Sequence, residues 1–195
     1  MNRSEVIKEI SKCEGLLVSN LGFPSRELYA ASDGSKNFYM LGSMGLASSI
    51  GLGVALSQNK RIYVIDGDGS VLMNLGSLVT IAHHAPDNYC LIIIDNKVYG
   101  STGNQPTYTS GKADLEMVAK AAGNENAARV KNISELRDAL KKYSKKTAII
   151  IVDTEPGNEQ VPVIPYDPQE IKRRFMEEIE KGLTGNSQVG KKPIG

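Results

Sequence analysis

Two short runs of the sequence set oxygen ligands beside glycine: Asp66-Gly67-Asp68-Gly69-Ser70 and Asp95-Asn96-Lys97-Val98-Tyr99-Gly100. Asp68 offers a carboxylate oxygen and Asn96 an amide oxygen, and both are hard donors. Magnesium takes one or two carboxylates and completes its octahedron with phosphate and water oxygens. One Asp, one Asn and a backbone carbonyl therefore suit a magnesium ion held against a diphosphate. Gly67 and Gly69 let the backbone come close to a phosphate where a Cβ would hinder it. A helix beginning after Ser70 would turn its free N–H groups on that phosphate. A lone Asp-Gly dipeptide also makes an ordinary tight turn, so the argument rests on two loops brought together.

Both loops follow apolar runs, RIYVID (61–66) and NYCLIIID (88–95). Such continuous runs read as strands of a parallel sheet covered on both faces. Further strands are expected at Leu16–Val18, Phe38–Met40 and Thr147–Val152. Helices are expected from Ser4, taken as the cap, to near Glu14, then over Pro24–Ala31, Gly45–Ser57 and from Ser70 to about His84. Three more follow at Asp114–Ala122, Ile133–Tyr143 and Asp167–Lys181. Gly51 and Gly53 each cost about 1 kcal/mol of helix propensity, which close packing against a neighbour would explain. Strands alternating with helices predict a doubly wound α/β domain, its sheet mostly parallel with helices on both faces. Residues 1–181 form that domain and 182–195, poor in apolar residues, a loose tail. In such a sheet ligands bind beyond the carboxyl ends of the strands, where both loops lie.

Other chemistry is excluded residue by residue. An EF-hand loop from Asp66 would need Gly at Val71 and Glu at Ser77. Gly51-Leu52-Gly53 lacks the third glycine of a dinucleotide fingerprint, since Leu56 stands there, and it sits inside a helix. Gly185 to Lys191 imitates a Walker A loop, yet Lys192 replaces the Ser or Thr and no strand precedes it. Asn132-Ile133-Ser134 is a glycosylation sequon only in a secreted chain. Twenty-three basic and 22 acidic residues leave a formal charge of +1, which offers no footprint for nucleic acid or an anionic membrane. Cys13 and Cys90 are too few for a disulfide framework or zinc site. The start MNRSEVIKEI has no signal-peptide core and no run is long enough to span a bilayer, so a soluble cytoplasmic chain is expected.

The GDG-S loop with an Asn 28 positions beyond Asp68, preceded by Leu41-Gly42-Ser43-Met44-Gly45, resembles the thiamine-diphosphate-dependent decarboxylases over Leu16 to Val152. The segments SREL (25–28), GSMG, IDGDGS and STGNQPT (101–107) look like the branch acting on sulfopyruvate and phosphonopyruvate. The length and YGSTGNQ are most similar to the sulfopyruvate decarboxylase beta subunits, which belong to coenzyme M biosynthesis. The resemblance implies that Asp68, Asn96 and the Val98 carbonyl ligate magnesium. It also implies that Gly42, Ser43, Met44, Gly67, Gly69, Ser70, Tyr99 and Gly100 hold thiamine diphosphate. The Gly42 carbonyl would accept from the cofactor's 4′-amino group, Met44 would wedge the cofactor into its V shape, and Ser70 with nearby amides would hold the diphosphate. Lys97 departs from the family, where a small residue, often Gly, is usual.

The implied reaction is decarboxylation of a small anionic 2-oxo acid, 3-sulfopyruvate giving sulfoacetaldehyde and carbon dioxide. The activating glutamate of the family lies on a pyrimidine-binding domain for which this chain has no room. A separate pyrimidine-binding (alpha) subunit would supply it, in a hetero-oligomer whose active site lies between subunits. The alternatives are phosphonopyruvate as substrate, an acetolactate-synthase-like carboligase, and a non-catalytic cofactor-binding module. Ser101 and Thr102 are candidates to meet the substrate, with Asn104 and Gln105 beside them, although the same residues also make a polar surface loop. Arg26 is a candidate partner for an anion and equally a solvated arginine. His83 and His84 end a helix, where a cation complements the dipole.

Overall fold

The computed structural model describes residues 1–184. Its main sheet has six strands, all parallel: β1 (Leu16–Ser19), β2 (Asn37–Tyr39), β3 (Ile62–Gly67), β4 (Tyr89–Asp95), β7 (Ala127–Val130) and β8 (Ala148–Asp153), in the order β2-β1-β3-β4-β8-β7. A two-stranded antiparallel hairpin, β5 (Val98–Tyr99) with β6 (Gln105–Pro106), projects from the end of β4. This is the expected doubly wound architecture.

The periodicity of two in the strands divides the core. Val18, Val64, Leu91, Ile93 and Ile151 face one way, packing on α3 (Ala47–Ser57), α5 (Gly76–His84) and α6 (Leu115–Ala121). Leu17, Ile65, Cys90, Ile92 and Ile150 face the other way, packing on α1 (Arg3–Ile10), α2 (Phe23–Ser32) and α7 (Ile133–Lys142). Since both faces are covered, β3 from Ile62 to Ile65 and β4 from Tyr89 to Ile94 run without polar alternation. The last helix, α8 (Pro168–Thr184), contributes Ile171 to one face and Phe175 and Ile179 to the other, so it straddles the β2 edge and shields an otherwise open strand.

Chain reversal creates the crevice. From β1 the chain moves outward to β2 and then returns past β1 to β3, so the carboxyl ends of β1 and β3 diverge into loops on opposite sides. Among the described residues no helix is long and apolar enough to cross a membrane.

Several boundaries differ from expectation. The cap of α1 is Asn2 and not Ser4: its side chain accepts the Glu5 N–H while Glu5 accepts the Asn2 N–H. The helix expected from Ser70 to His84 starts earlier and breaks: α4 (Asp68–Leu72) follows β3 without a loop, and α5 begins only after Met73-Asn74-Leu75. The strand β7 has no counterpart in the sequence reading. The last helix, expected to end at Lys181, runs as α8 to Thr184, and the remainder of the expected tail, with the Walker-like run Gly185 to Lys191, lies outside the described residues. Asn132 of the sequon caps α7, accepting the Glu135 N–H at 2.9 Å. Cys90 is a buried core residue, as read.

Candidate functional site

Register carries the two oxygen-bearing loops to one place. In β3 and β4, Gly67 pairs with Ile94, so Asp68 and Asn96 emerge just beyond the ends of adjacent strands. They line a cleft of about 140 Å³ together with Asn20 and Gly22 after β1, Met44, Gly67 to Ser70, and Val98 to Ser101. That is less than the roughly 300–1,000 Å³ of a self-contained small-molecule pocket.

The Asp68 carboxylate is 2% exposed. Its Oδ2 accepts from the Thr107 hydroxyl at 2.5 Å and lies 2.9 Å from the Thr109 hydroxyl. Burial raises the Asp68 carboxyl above the ordinary aspartate value, and the two threonines oppose that rise. Asp66, fully buried one pleat earlier, has its carboxyl pushed by burial to about 7, with the Ser70 hydroxyl and the Gly67 N–H pulling the other way.

Asn96 Oδ1 accepts the Val98 N–H at 3.1 Å, an Asx turn that leaves the amide oxygen a second lone pair. The Thr107 N–H donates to the Lys97 carbonyl at 2.9 Å, so Lys97 and Thr107 are a hydrogen-bonded pair of the hairpin, and Val98 opposite Pro106 is not. Residues of a non-hydrogen-bonded pair turn their N–H and carbonyl away from the partner strand. Val98 therefore directs its carbonyl to the side where its N–H meets Asn96, and Pro106 sits where no donor is required. Lys97 holds φ +64°, the left-handed region that favours glycine, so this lysine follows the path a small residue would take.

The glycines separate by role. A Cβ on Gly67 would meet only Asn20 Nδ2, at 3.8 Å, and otherwise the open cleft. A Cβ on Gly69 would strike the Tyr99 ring at 2.4 Å, so Gly69 is required by the protein's own packing. Ser70 is buried and its hydroxyl oxygen accepts the Gly45 N–H at 2.9 Å, which ties the Gly42–Gly45 segment to α4.

The structure gathers Met44, Gly67, Asp68, Gly69, Ser70, Asn96, Val98, Tyr99, Gly100 and Ser101 around the cleft. Gly42 and Ser43 instead line a neighbouring apolar groove with Phe38, Leu41 and Lys172. Thr102 turns into its own hairpin, donating to Gln105 Oε1 at 2.9 Å, and stays outside the cleft. Arg26 lies over the Phe23 ring, 5.7 Å from its centre. His83 and His84 are exposed at the end of α5.

Sequence reasoning missed several groups. Thr109 lies 2.8 Å from Asp95 Oδ1, and the other Asp95 oxygen accepts from Arg129 Nη1 at 3.0 Å. Arg129 also pairs with Asp153 and Asp114. On the opposite rim, Arg3 grips Glu27 at 2.6 and 2.9 Å and donates to Asn158, whose amide donates to the Gly100 carbonyl. No spacing in the sequence relates these residues to one another: Asn158 lies in a loop, Thr109 in a short turn and Arg129 in a strand that the sequence did not announce.

The donor set agrees with magnesium. Asp68, Asn96 and the Val98 carbonyl could supply one carboxylate, one amide and one carbonyl oxygen to such an ion and leave positions for phosphate oxygens, and among the described residues no group of three His, Cys, Asp or Glu side chains offers a rival site. The family described as "Thiamine pyrophosphate enzyme, C-terminal TPP binding domain" matches residues 25–154. The chain belongs to the thiamine pyrophosphate enzymes. Within that family it is 48% identical over 184 residues to a protein of Methanocaldococcus jannaschii named sulfopyruvate decarboxylase subunit beta, covering 92% of this chain and 97% of the relative. A sulfopyruvate decarboxylase of Methanosarcina acetivorans is 46% identical over 85% of this chain and 43% of its own length. A phosphonopyruvate decarboxylase of Streptomyces viridochromogenes is 46% identical over 65% of this chain and 32% of the relative. An enzyme of Mycobacterium smegmatis described as thiamin diphosphate-dependent shares the fold of this thiamine pyrophosphate domain, with a TM-score of 0.64 at 18% identity, over 80% of this chain and 32% of that one.

Proposed function

We propose that this chain is the diphosphate-binding subunit of a thiamine-diphosphate- and magnesium-dependent decarboxylase that converts 3-sulfopyruvate to sulfoacetaldehyde and carbon dioxide. The observation that carries the reading is the meeting of Asp68, Asn96 and Val98 at the ends of adjacent strands, in the cleft that Met44 overhangs. Asp68, Asn96 and the Val98 carbonyl would hold magnesium and, through it, the diphosphate. Gly67 keeps that wall free of side chain. The Ser70 hydroxyl oxygen accepts the Gly45 N–H and keeps its own proton, so Ser70 could meet a phosphate through that hydroxyl as well as through nearby backbone amides. Met44 is 36% exposed and free to press on a bound ring. When bound, thiamine diphosphate supplies the nucleophilic carbon and the electron sink that loss of carbon dioxide from a 2-oxo acid requires.

The shallow cleft supports completion by a second subunit carrying the activating glutamate. Leu41, Met44, Leu46, Met73 and Leu75 are exposed around the Gly45 junction, an apolar rim suited to a protein partner. The match to 43% of the Methanosarcina relative leaves more than half of that chain outside the matched region. Phosphonopyruvate remains the second reading, favoured by the 46% identity to the Streptomyces relative.

Carbon dioxide release by the chain alone and co-expressed with a candidate partner, given thiamine diphosphate, magnesium and each of sulfopyruvate, phosphonopyruvate and pyruvate, tests this function. Release from sulfopyruvate in the paired sample only is expected. Release from phosphonopyruvate instead would move the substrate, and activity of the single chain would overturn the shared site.

A further inference from the structure

The hairpin that follows Asn96 returns the chain to α4. Thr107 leaves β6, and Thr109 sits in the short 3-10 helix Tyr108–Ser110. Both threonines are buried, and their hydroxyl oxygens are 2.8 Å apart. Both hydroxyls meet the same carboxylate oxygen, Asp68 Oδ2, and neither meets Oδ1. Thr109 also reaches Asp95 Oδ1 at 2.8 Å. Asp95 is held in turn by Arg129, itself braced by Asp114 and Asp153.

The proton count limits this cluster. Two hydroxyls carry two protons, and three carboxylate contacts compete for them. Thr107, at 2.5 Å, gives its proton to Asp68. Thr109 divides its one proton between Asp68 and Asp95, a choice that Arg129 biases by saturating Asp95 from the far side. A carboxylate that is buried and hydrogen-bonded on one oxygen cannot rotate without breaking those bonds.

We infer that Thr107 and Thr109 are positioning residues, which lock Asp68 by one oxygen so that the other is presented to the cation. Their hydroxyls do for a metal ligand what outer partners do at other metal sites, where loss of one typically lowers metal affinity about 10- to 100-fold. The hairpin couples the two halves of the donor set as well, because Thr107 is also bonded to Lys97, between Asn96 and Val98. Thr107 thus sets the separation of Asp68 from the amide and carbonyl ligands. This inference rests on the reading of Asp68 as a magnesium ligand given above.

The test measures the magnesium concentration for half-maximal thiamine diphosphate binding by calorimetry, on the full chain co-expressed with its candidate partner. Thr109→Val keeps shape and removes the hydroxyl; it is expected to raise that concentration about tenfold or more. Thr107→Val is expected to do at least as much, and Thr107→Ser and Thr109→Ser to restore the wild-type value. The serine variants keep the hydroxyl and fold most readily. If a valine variant does not fold, Thr109→Ala replaces it, its fold checked by circular dichroism. An unchanged magnesium midpoint in a folded valine or alanine variant would overturn the inference, as would serine variants that bind no better than valine ones. Asp68→Asn separates this from the reading beneath it. If Asp68→Asn leaves the midpoint unchanged, or the wild-type complex binds no cofactor, the ligand assignment fails and this inference with it. If Asp68→Asn shifts the midpoint and the threonine variants do not, only the positioning role fails.

Discussion

The Ser70 hydroxyl oxygen accepts the backbone N–H of Gly45 at 2.9 Å, and Asn74 Nδ2 donates to the carbonyl of the same Gly45 at 2.9 Å. Two side chains of the α4 region thus hold both polar backbone groups of one residue in the segment that carries Met44. Gly45 has φ +92°, and a Cβ there would lie 3.2 Å from Asn74 Cβ and 3.3 Å from the Ser70 carbonyl. Ser70→Ala should leave a buried N–H unpaired and cost about 1–3 kcal/mol. Urea denaturation measures the cost, and a change within error would mean that water replaces the hydroxyl.

Removing the carboxylate should separate binding from folding. Asp68→Ala is expected to abolish magnesium-dependent thiamine diphosphate binding while the circular dichroism spectrum is retained, because the Asp68 side chain contacts hydroxyls and not the apolar core. Unchanged affinity in a calorimetric titration would remove this loop from the cation site.

Met44 is expected to act on the reaction more than on affinity. It overhangs the cleft without a charge or hydrogen bond for the diphosphate. Met44→Ala should lower kcat by at least tenfold with a smaller change in cofactor affinity. Normal turnover would remove its shaping role.

The two helical glycines predict opposite signs. A Cβ on Gly51 would fall 2.1 Å from Val64 Cγ2, so Gly51→Ala should destabilise by about 1–3 kcal/mol through overpacking of α3 on β3. A Cβ on Gly53 meets nothing within 4 Å, and Gly53→Ala should stabilise by up to about 1 kcal/mol. Chemical denaturation of the two variants side by side checks the contrast, and equal effects would refute it.

Acid should weaken one surface contact. The hydrogen bonds from Arg137, and then Lys12, hold the Glu9 carboxyl at about 2, below its ordinary 4.5. A depressed pKa gives stability that is present above the unfolded value and lost as pH falls between 4.5 and about 2. Arg137→Ala should return the Glu9 titration, followed by carboxyl NMR, toward the ordinary value. A titration that stays near 2 would place the cause elsewhere.

What the sequence made legible follows from how local each signal is. RIYVID and NYCLIIID announce buried strands because their central residues are apolar without alternation, and the loops after them carry the oxygen donors. β7 was illegible: Ala127-Ala128-Arg129-Val130 lies at the sheet edge, buried only at its two ends, with a charge in the middle. At the break between α4 and α5, Asn74 donates to the Gly45 carbonyl, a partner far away in sequence. Packing explained Gly51, as expected, but not Gly53, which faces open space. Thr107 closes the family-like STGNQPT segment and Thr109 lies just beyond it, yet neither was given a role, since no spacing relates them to Asp68; the hairpin does. The cleft is lined where strand ends dictate position, as at Asp68 and Asn96, whereas Gly42, Ser43 and Thr102 lie outside it on connecting segments, where Asn74 bonds to Gly45 and Thr102 to Gln105.

The strand that leads to Asn96 has a neighbour far along the chain. β4 pairs with β3 on one side, but its other partner is β8, where Cys90 meets Ala148 and Asp95 meets Asp153. During synthesis β4 is therefore an edge, with Ile92 and Ile94 in an unfinished ladder, until the chain has passed Asp153. Such long-range parallel pairing closes slowly and leaves sticky intermediates. A nascent chain that stops before β8 would hold the sequence of every proposed cation ligand and lack the platform that sets their spacing, so assembly with a partner should follow, and not precede, emergence of β8 from the ribosome.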